Sequence, residues 1–305
     1  MTVPIVSNEP MPEPIAAYQP PSDAYRQRFG GIARLYGEPA LLAFHRAHAV
    51  VVGIGGVGTW VAEALARSGV GEITLIDMDD ICITNTNRQL HALHSTIGQQ
   101  KIEVMAARLL DINPELKVNA VDEFLETDNL TQLIPAKADI VIDAIDAAFV
   151  KAALINHCKR SKQIILTVGS AGGKLDPRQI ISGDLSRTTN DPLLAKTRNT
   201  LRRNHNFSRN PKRVFSVEAV YSTEQMTYPA ADGSTCQTKS GLEAGSKLDC
   251  SSGFGAVTMV TASFGFVAVS RALDRLIQRQ ALQKQQSTQP HTTKLELEAE
   301  PELTL

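Results

Sequence analysis

Residues 49–58 read AVVVGIGGVG, and this stretch decides the fold of the chain. An apolar run typical of a buried strand ends at Gly53, where the spacing G-x-G-x-x-G begins. Residues 57–68 then place apolar side chains at helical spacing and stop before Gly69. A strand, a glycine turn and a helix in this order are typical of the first unit of a doubly wound sheet.

Strand and helix patterns continue to alternate along the chain. The predicted strands lie at residues 73–76, 117–121, 140–142, 163–168 and 214–221, and the predicted helices at 99–112 and 149–159. Such alternation favours a parallel sheet that is covered by helices on both faces. We therefore predict an α/β fold with a Rossmann-like, doubly wound, mostly parallel sheet and additional C-terminal strands and helices.

Composition excludes several classes of protein. The 305 residues are 43% hydrophobic and 21% charged, with a formal net charge of −1. This balance is ordinary for a globular protein with a large core, and it excludes a globally basic nucleic-acid coat. The 4 cysteines form no C-x-x-C pair, which argues against a disulfide scaffold and a zinc ribbon.

Both ends of the chain differ from its middle. Residues 1–22 hold six of the 15 prolines, and residues 279–305 are rich in Gln, Thr and Glu, so we predict two disordered ends. The folded body is expected over 23–278, with residues 175–250 as a less regular, substrate-side insertion. The first residues carry no secretory signal, which makes the cytoplasm the expected compartment. Residues 250–270 are uncharged but contain neither Leu nor Ile, so a core helix is favoured over a membrane contact.

The glycine spacing predicts a nucleotide site. The first glycine turns the chain, the second lets the backbone approach a phosphate, and the third allows close packing of helix on strand. Free N–H groups at the helix start hold the anion. Asp77 follows Gly58 by nineteen residues, at the end of a strand, where a carboxylate can accept from ribose hydroxyls.

The charged residues beyond the loop favour adenylation over hydride transfer. Cleavage of ATP between its α and β phosphates develops negative charge that Arg and Lys neutralise, while a carboxylate holds Mg²⁺. An enzyme that uses NAD needs no such set. The polar residues at predicted strand ends, or in the loops after them, are Asp77, Asp79, Asn85, Arg88, Gln89, Lys101 and Asp146.

These motifs make the sequence resemble the ubiquitin-activating-enzyme superfamily of adenylating proteins, which includes the activators of molybdopterin and thiamine sulfur carriers. The resemblance implies a homodimer with ATP over the glycine loop, Arg88 and Lys101 on the phosphates, and Asp146 on Mg²⁺. It also implies that Arg28 reaches across the dimer to the γ-phosphate. The implied nucleotide-binding residues are Gly53, Gly55, Gly56, Gly58, Asp77, Asp79, Asn85 and Gln89.

A narrower resemblance, to the tRNA threonylcarbamoyladenosine dehydratase branch, covers nearly the whole folded body. It rests on residues 28–31 (RFGG), 33–37 (ARLYG), 76–93, 143–146 (DAID), 151–155 (KAALI) and 249–270. The resemblance implies that the protein uses ATP to activate the carboxylate of the threonylcarbamoyl group on the adenosine beside the anticodon. Cyclisation then expels AMP, so the modified base loses one water.

A basic stretch is the candidate tRNA contact. Residues 196–213 contain no acid, and Phe207 lies among their cations as an aromatic that could stack on a base. The cations are Lys196, Arg198, Arg202, Arg203, Arg209, Lys212 and Arg213. A charge run is also compatible with a merely solvated face.

Other functions remain open on the sequence alone. An activator of a ubiquitin-like or sulfur-carrier protein commonly has a zinc site, which this sequence lacks, and a non-catalytic adapter has no use for a complete α-phosphate site. Sulfur-transfer partners such as a cysteine desulfurase or a sulfur acceptor stay open, whereas DNA is not expected. A thioester or persulfide role of Cys236 or Cys250 is a minor alternative. His91 and His94, three residues apart with no further ligand nearby, are interpreted as structural.

Overall fold

The computed structural model describes residues 19–230, 232–237 and 254–288. Its helices are α1 (Asp23–Tyr36), α2 (Glu38–Arg46), α3 (Gly58–Arg67), α4 (Lys101–Ile112), α5 (Leu130–Leu133), α6 (Ala148–Arg160), α7 (Pro192–Asn204) and α8 (Thr258–Thr288). Its strands are β1 (His48–Val52), β2 (Glu72–Ile76), β3 (Lys117–Val121), β4 (Ile140–Asp143), β5 (Ile164–Val168), β6 (Ile180–Asp184), β7 (Glu218–Ser222), β8 (Tyr228–Pro229) and β9 (Thr235–Cys236).

The main sheet of the described chain has seven strands in the order β3-β2-β1-β4-β5-β7-β6. Neighbouring strands are parallel, except that β6 runs antiparallel to β7. The chain leaves β1 towards β2 on one side and returns to β4 on the other, so the winding reverses between β1 and β4. This order confirms the predicted doubly wound α/β fold, and ligands bind in such folds where the winding reverses.

Each face of the sheet is covered by its own set of helices. Alternate residues of β1 point to opposite faces, because side chains in a strand alternate. Val51 packs in a core with residues of α2, α3, α4 and α8, whereas Val50 packs with residues of α6 and α7. The two apolar cores hold the carboxyl ends of β1, β2 and β4 at one edge of the sheet, where the loops of the candidate site begin.

Helix α8 extends further than the sequence predicted. The composition of residues 279–305 predicts a disordered tail, but residues 279–288 are helical and continue the largely buried 258–278 segment. Arg275 pairs with Glu218 of β7 at 2.7 Å, and Arg279 donates to the backbone O of Asp139 at 3.0 Å. These contacts fix the last buried turns, and the following Ala, Leu, Gln and Lys residues are good helix formers, which explains the extension. Residues 1–18 and 289–305, also predicted to be disordered, lie outside the described residues.

One smaller expectation also changes. The strand predicted over 214–221 begins only at Glu218, because Ser216 has φ +52° and interrupts an extended conformation. Among the described residues, no helix is long and apolar enough to span a membrane. The 250–270 segment enters α8 at Thr258, as the favoured core helix, and residues 250–253 lie outside the described ranges.

Candidate nucleotide-binding site

The glycine loop between β1 and α3 requires glycine at two places. Gly53 has φ +87°, a conformation that L side chains rarely adopt. A Cβ on Gly58 would lie 1.8 Å from the backbone O of Gly53, so the turn closes only without a side chain there. A Cβ on Gly55, by contrast, would meet only the Gln89 side chain, at 4.0 Å. Gly53 and Gly58 therefore shape the loop, whereas Gly55 leaves its outer surface uncovered.

The peptide groups flanking Ile54 are held on both sides by side chains. The Ile54 N–H donates to Oδ2 of Asp77 at 2.6 Å, and the other oxygen of Asp77 accepts from the N–H of Asp79 at 2.9 Å. Nε2 of His91 lies 3.0 Å from the Ile54 carbonyl oxygen, which can only accept. Burial lowers the pKa of His91 to about 4, so the ring is neutral at pH 7 with its proton on Nε2. Asp77 thus fixes the glycine loop, and His91, which the sequence suggested was structural, supports it.

Lys101 lies where β2 meets the start of α4. Its ammonium group is 2.5 Å from Oδ2 of Asp79 and 3.9 Å from Oδ1 of Asp77, although the lysine is nearly buried. A bridge between Asp80 and Gln100 places the first turn of α4 against the segment after β2. The predicted Asp77, Asp79 and Lys101 are therefore brought together, although Lys101 lies 22 positions after Asp79 in the sequence.

The segment 85–89 lies against the glycine loop. Asn85 is buried, and its Oδ1 accepts from the N–H of Cys82 at 3.0 Å, which fixes the turn. A Cβ on Gly56 would be 3.3 Å from Cγ of Arg88, so the Arg88 stem passes directly beside the loop. Gln89 is buried too, and its Oε1 has no hydrogen-bond partner among the described residues. Its Nε2 lies 4.0 Å from the position of a Cβ on Gly55, so the unpaired oxygen belongs to an amide group beside the glycine loop.

Helix α3 and the start of α8 hold this segment in place. Nε1 of Trp60 donates to the Arg88 carbonyl at 3.2 Å, and the Thr258 hydroxyl donates to the Asn87 carbonyl at 2.6 Å. The Asn87 amide in turn donates to the Ala256 carbonyl at 2.8 Å. The start of α8 is therefore part of the wall of the site, a role that its apolar sequence did not indicate.

Asp146 closes the site on the β4 side. It follows β4, the neighbour of β1, and the backbone O of Ala144 lies 3.0 Å from the position of a Cβ on Gly53. The Asp146 carboxylate is exposed and forms no hydrogen bond or ion pair with any described residue. Asp143 behaves differently, because it is fully buried and pairs with Lys151 at 2.8 Å and with the Thr167 hydroxyl at 2.6 Å. The sequence did not predict this buried pair, which supports the strand end before Asp146.

Arg28 is not brought to the site within one chain. It is exposed on α1, between Tyr25 and Phe29, whose rings lie against Gly69 just beyond the C-terminal end of α3. The glycine loop is at the other end of α3, and a ten-residue helix is roughly 15 Å long.

The basic stretch 196–213 is only partly free. Arg198 donates to the Thr188 hydroxyl, and the Arg202 guanidinium lies 5.4 Å from the centre of the Phe215 ring. Phe207, predicted as a stacking platform, instead packs edge-on against Phe215 with centroids 5.0 Å apart, because the chain turns back onto the core after α7. The exposed cations of the stretch are Lys196, Arg203, Arg209, Lys212 and Arg213.

Other candidate groups remain apart from this site. Among the described residues, no cluster of three or more His, Cys, Asp or Glu side chains could hold a metal ion. His91 is buried while His94 is exposed, so the pair does not form a ligand set. Cys236 lies on β9, and Cys250 falls outside the described ranges.

A family model described as the ThiF family matches residues 29–301 of the chain. The chain belongs to the ThiF family. The tRNA threonylcarbamoyladenosine dehydratase of Escherichia coli strain K12 is 55% identical over 262 residues, which cover 86% of this chain and 98% of the relative. Crystal structures of the E. coli tRNA N6-threonylcarbamoyladenosine dehydratase in complex with ATP and with AMP match with 51% and 52% identity. Both have a TM-score of 0.76 and cover 86% of this chain and 98% of the solved one.

Proposed function

We propose that this ThiF-family chain is an ATP-dependent dehydratase of threonylcarbamoyladenosine at position 37 of tRNA. The threonyl carboxylate attacks the α-phosphorus of ATP, which forms an acyl-adenylate and releases pyrophosphate. A nucleophilic atom of the same side chain then attacks the acyl carbon, loses its proton to solvent and expels AMP. The carboxylate oxygen that is lost leaves with AMP, so the modified base loses one water overall and becomes cyclic.

The observation that carries this proposal is the 55% identity to a relative of that name across 98% of its length. The geometry supports it, because the glycine loop, the Arg88 stem, Lys101 and the segment that carries Asp146 all lie where the sheet reverses its winding. A carboxylate is a poor electrophile, and adenylation gives it a good leaving group. The second step needs no enzyme nucleophile, since attacking atom and acyl carbon belong to one side chain.

Different residues of the chain have different roles in the adenylation step. Backbone N–H groups of the glycine loop and the start of α3 face the phosphates, while Asp77 and His91 hold that loop in place. Lys101 and Arg88 supply the positive charge that stabilises the developing pyrophosphate. Asp77 accepts two backbone N–H groups, and its remaining lone pairs are available for a ribose hydroxyl.

Mg²⁺ fits the donor groups present. Proteins bind Mg²⁺ through one or two carboxylates together with substrate phosphates and water, rather than through a complete protein cage. Asp146 offers such a carboxylate, because it is exposed and has no partner among the described residues. Bound there, Mg²⁺ would neutralise phosphate charge.

A homodimer would complete the site. Arg28 is exposed but far from the glycine loop of its own chain, so it can act on the phosphates only in a second copy. The five exposed cations of residues 196–213 are the proposed contact for the tRNA backbone.

Mass spectrometry of nucleosides tests the proposal. A tRNA that carries threonylcarbamoyladenosine is incubated with the protein, ATP and Mg²⁺, and we expect the nucleoside to lose one water while AMP forms. The Lys101→Met variant is the control, and it should leave the nucleoside intact. If AMP forms only after a small carrier protein is added, and the nucleoside stays intact, the proposed substrate is wrong although adenylation occurs.

A further inference from the structure

A groove along α6 is unused by the adenylation site. It has a volume of about 500 Å³ and runs between α5, α6 and the end of α7. From α6 it is lined by Phe149, Ala153, Asn156, His157 and Arg160, which recur at helical spacing on one face. This volume lies within the roughly 300–1,000 Å³ of ordinary ligand sites, so the groove has room for a nucleotide rather than a single ion. We refer to it as the α6 groove.

The groove begins next to the proposed chemistry. Phe149 lies three residues after Asp146, at the end of α6 that faces the carboxyl edge of the sheet. From there the lining follows α6 to Arg160, about 16 Å further along the helix axis. The other wall ends at Asn204 and His205, which directly follow the exposed Arg203. The α6 groove therefore connects the site edge with the basic surface of α7.

Four neutral polar side chains of the groove are free, and its aromatic ring is exposed. The side chains of Asn156, His157, Asn204 and His205 form no hydrogen bond with any described residue, and 58% of Phe149 is exposed. Burial lowers the pKa of both histidines, so at pH 7 each ring is neutral and offers one donor and one acceptor. Neutral donors and acceptors beside a free aromatic ring match the edge and face of a nucleobase.

We propose that the α6 groove binds a nucleotide of the tRNA anticodon loop that neighbours the modified adenosine, with Phe149 stacking on its base. The proposal rests on the proposed function, because it takes the tRNA as substrate. Single-stranded loops are recognised by stacking on aromatic side chains and by hydrogen bonds to base edges. Asn156 and Asn204 contact the base edge, and Arg160 contacts a backbone phosphate.

Binding of an anticodon stem-loop RNA that carries threonylcarbamoyladenosine tests the groove. We expect Phe149→Leu to weaken binding about 5- to 100-fold, because base stacking on an aromatic ring is lost, and Phe149→Trp to retain it. The matched control is Phe124→Ala, which removes another exposed phenylalanine, 52% exposed, that does not line the groove. Thermal unfolding and ATP binding show that the variants are folded.

Stem-loops with an abasic site in place of the nucleotide 5′ or 3′ of the modified adenosine identify the stacked base. At one of the two positions, the abasic site should weaken binding to the wild type and cause no further loss in Phe149→Leu. Additive losses at both positions, or an equal loss in Phe124→Ala, would overturn the assignment.

Failure of the groove differs from failure of the proposed function. If the wild type dehydrates the nucleoside while Phe149→Leu binds the stem-loop equally well, only the α6 groove is wrong. If the wild type neither binds the stem-loop nor dehydrates the nucleoside, both proposals fall together.

Discussion

Nε2 of His91 donates to the backbone carbonyl of Ile54 at 3.0 Å, across 37 positions of sequence. The N–H of Ile54 donates to Asp77, so both peptide groups flanking this residue of the glycine loop have fixed partners. The His91 ring is 1% exposed, and its Nδ1 has no partner among the described residues. The neutral ring therefore donates from Nε2 to the glycine loop while its buried Nδ1 stays unpaired, which is unfavourable for folding.

Loss of this donor is expected to weaken nucleotide binding. His91→Ala removes the hydrogen bond to Ile54 and leaves a small cavity, so the affinity for ATP should fall about five- to tenfold, the equivalent of about 1 kcal/mol. Isothermal titration calorimetry measures the change. His94→Ala is the matched control, because His94 is exposed and forms no hydrogen bond with Ile54. An equal loss of ATP affinity in both variants would contradict the role of His91.

Acid stability provides an independent test of His91. Its pKa is about 4 in the folded protein and near 6.5 when unfolded, so the unfolded chain binds the proton more tightly. The free energy of unfolding that His91 contributes is therefore complete above pH 6.5 and is lost as the pH falls towards 4, on the order of 3 kcal/mol. The charge of Lys101 acts in the same direction. His91→Gln, which keeps an N–H donor but does not titrate, should lose less stability over this range in urea unfolding; parallel curves would contradict the buried neutral ring.

Alanine substitutions at two glycines of the loop are expected to have different effects. Gly58→Ala should destabilise the fold by at least about 3 kcal/mol, because its Cβ would overlap the Gly53 carbonyl. Gly55→Ala should fold normally but bind ATP at least about tenfold more weakly, since its Cβ covers the surface that a phosphate approaches. Thermal unfolding and ATP titration separate the two effects. Gly255→Ala, where a Cβ meets no atom within 4 Å, is the control.

Lys101 is expected to act on the reaction more than on stability. Lys101→Met keeps the buried aliphatic stem but removes the charge, so the rate of AMP formation on modified tRNA should fall about 10²- to 10³-fold. The loss of stability should be smaller than this kinetic effect, because the Asp79 side chain is 52% exposed and Asp77, 9% exposed, keeps its two backbone N–H donors. Rapid-quench measurement of AMP tests the rate. Lys117→Ala, which removes an exposed lysine paired with Glu72, should leave it unchanged.

Local sequence patterns predicted the parts of the site that depend on local geometry. The glycine turn and the polar residues after β2 and β4 follow from strand order, since parallel strands bring their carboxyl ends to one edge. The contact of His91 with Ile54, and the buried pair of Asp143 and Lys151, could not be predicted in this way. Both contacts depend on how separate helices, strands and loops pack together. The local sequence around a histidine or lysine does not indicate which distant residue the side chain will contact.

The wrong expectations have the same origin. Phe207 follows a basic helix and resembles a stacking platform, but its ring packs on Phe215 because the chain reverses after α7. Residues 279–288 have a polar, tail-like composition, but they extend a helix whose earlier turns are fixed by Arg275 and Arg279. In both cases a tertiary contact outweighs the local composition.

The basic surface of α7 leads to a final prediction, on salt dependence. Lys196 and Arg203 are both exposed and lie seven residues apart, so they share one face of the helix. Replacing both with Ala should weaken tRNA binding and make the slope of log K against log salt less negative by roughly 1.4 to 1.8, because two phosphate contacts are lost. ATP affinity should stay the same. The control pair Lys137→Ala and Arg178→Ala removes two exposed cations elsewhere, and an unchanged slope in the α7 variant would show that this surface is merely solvated.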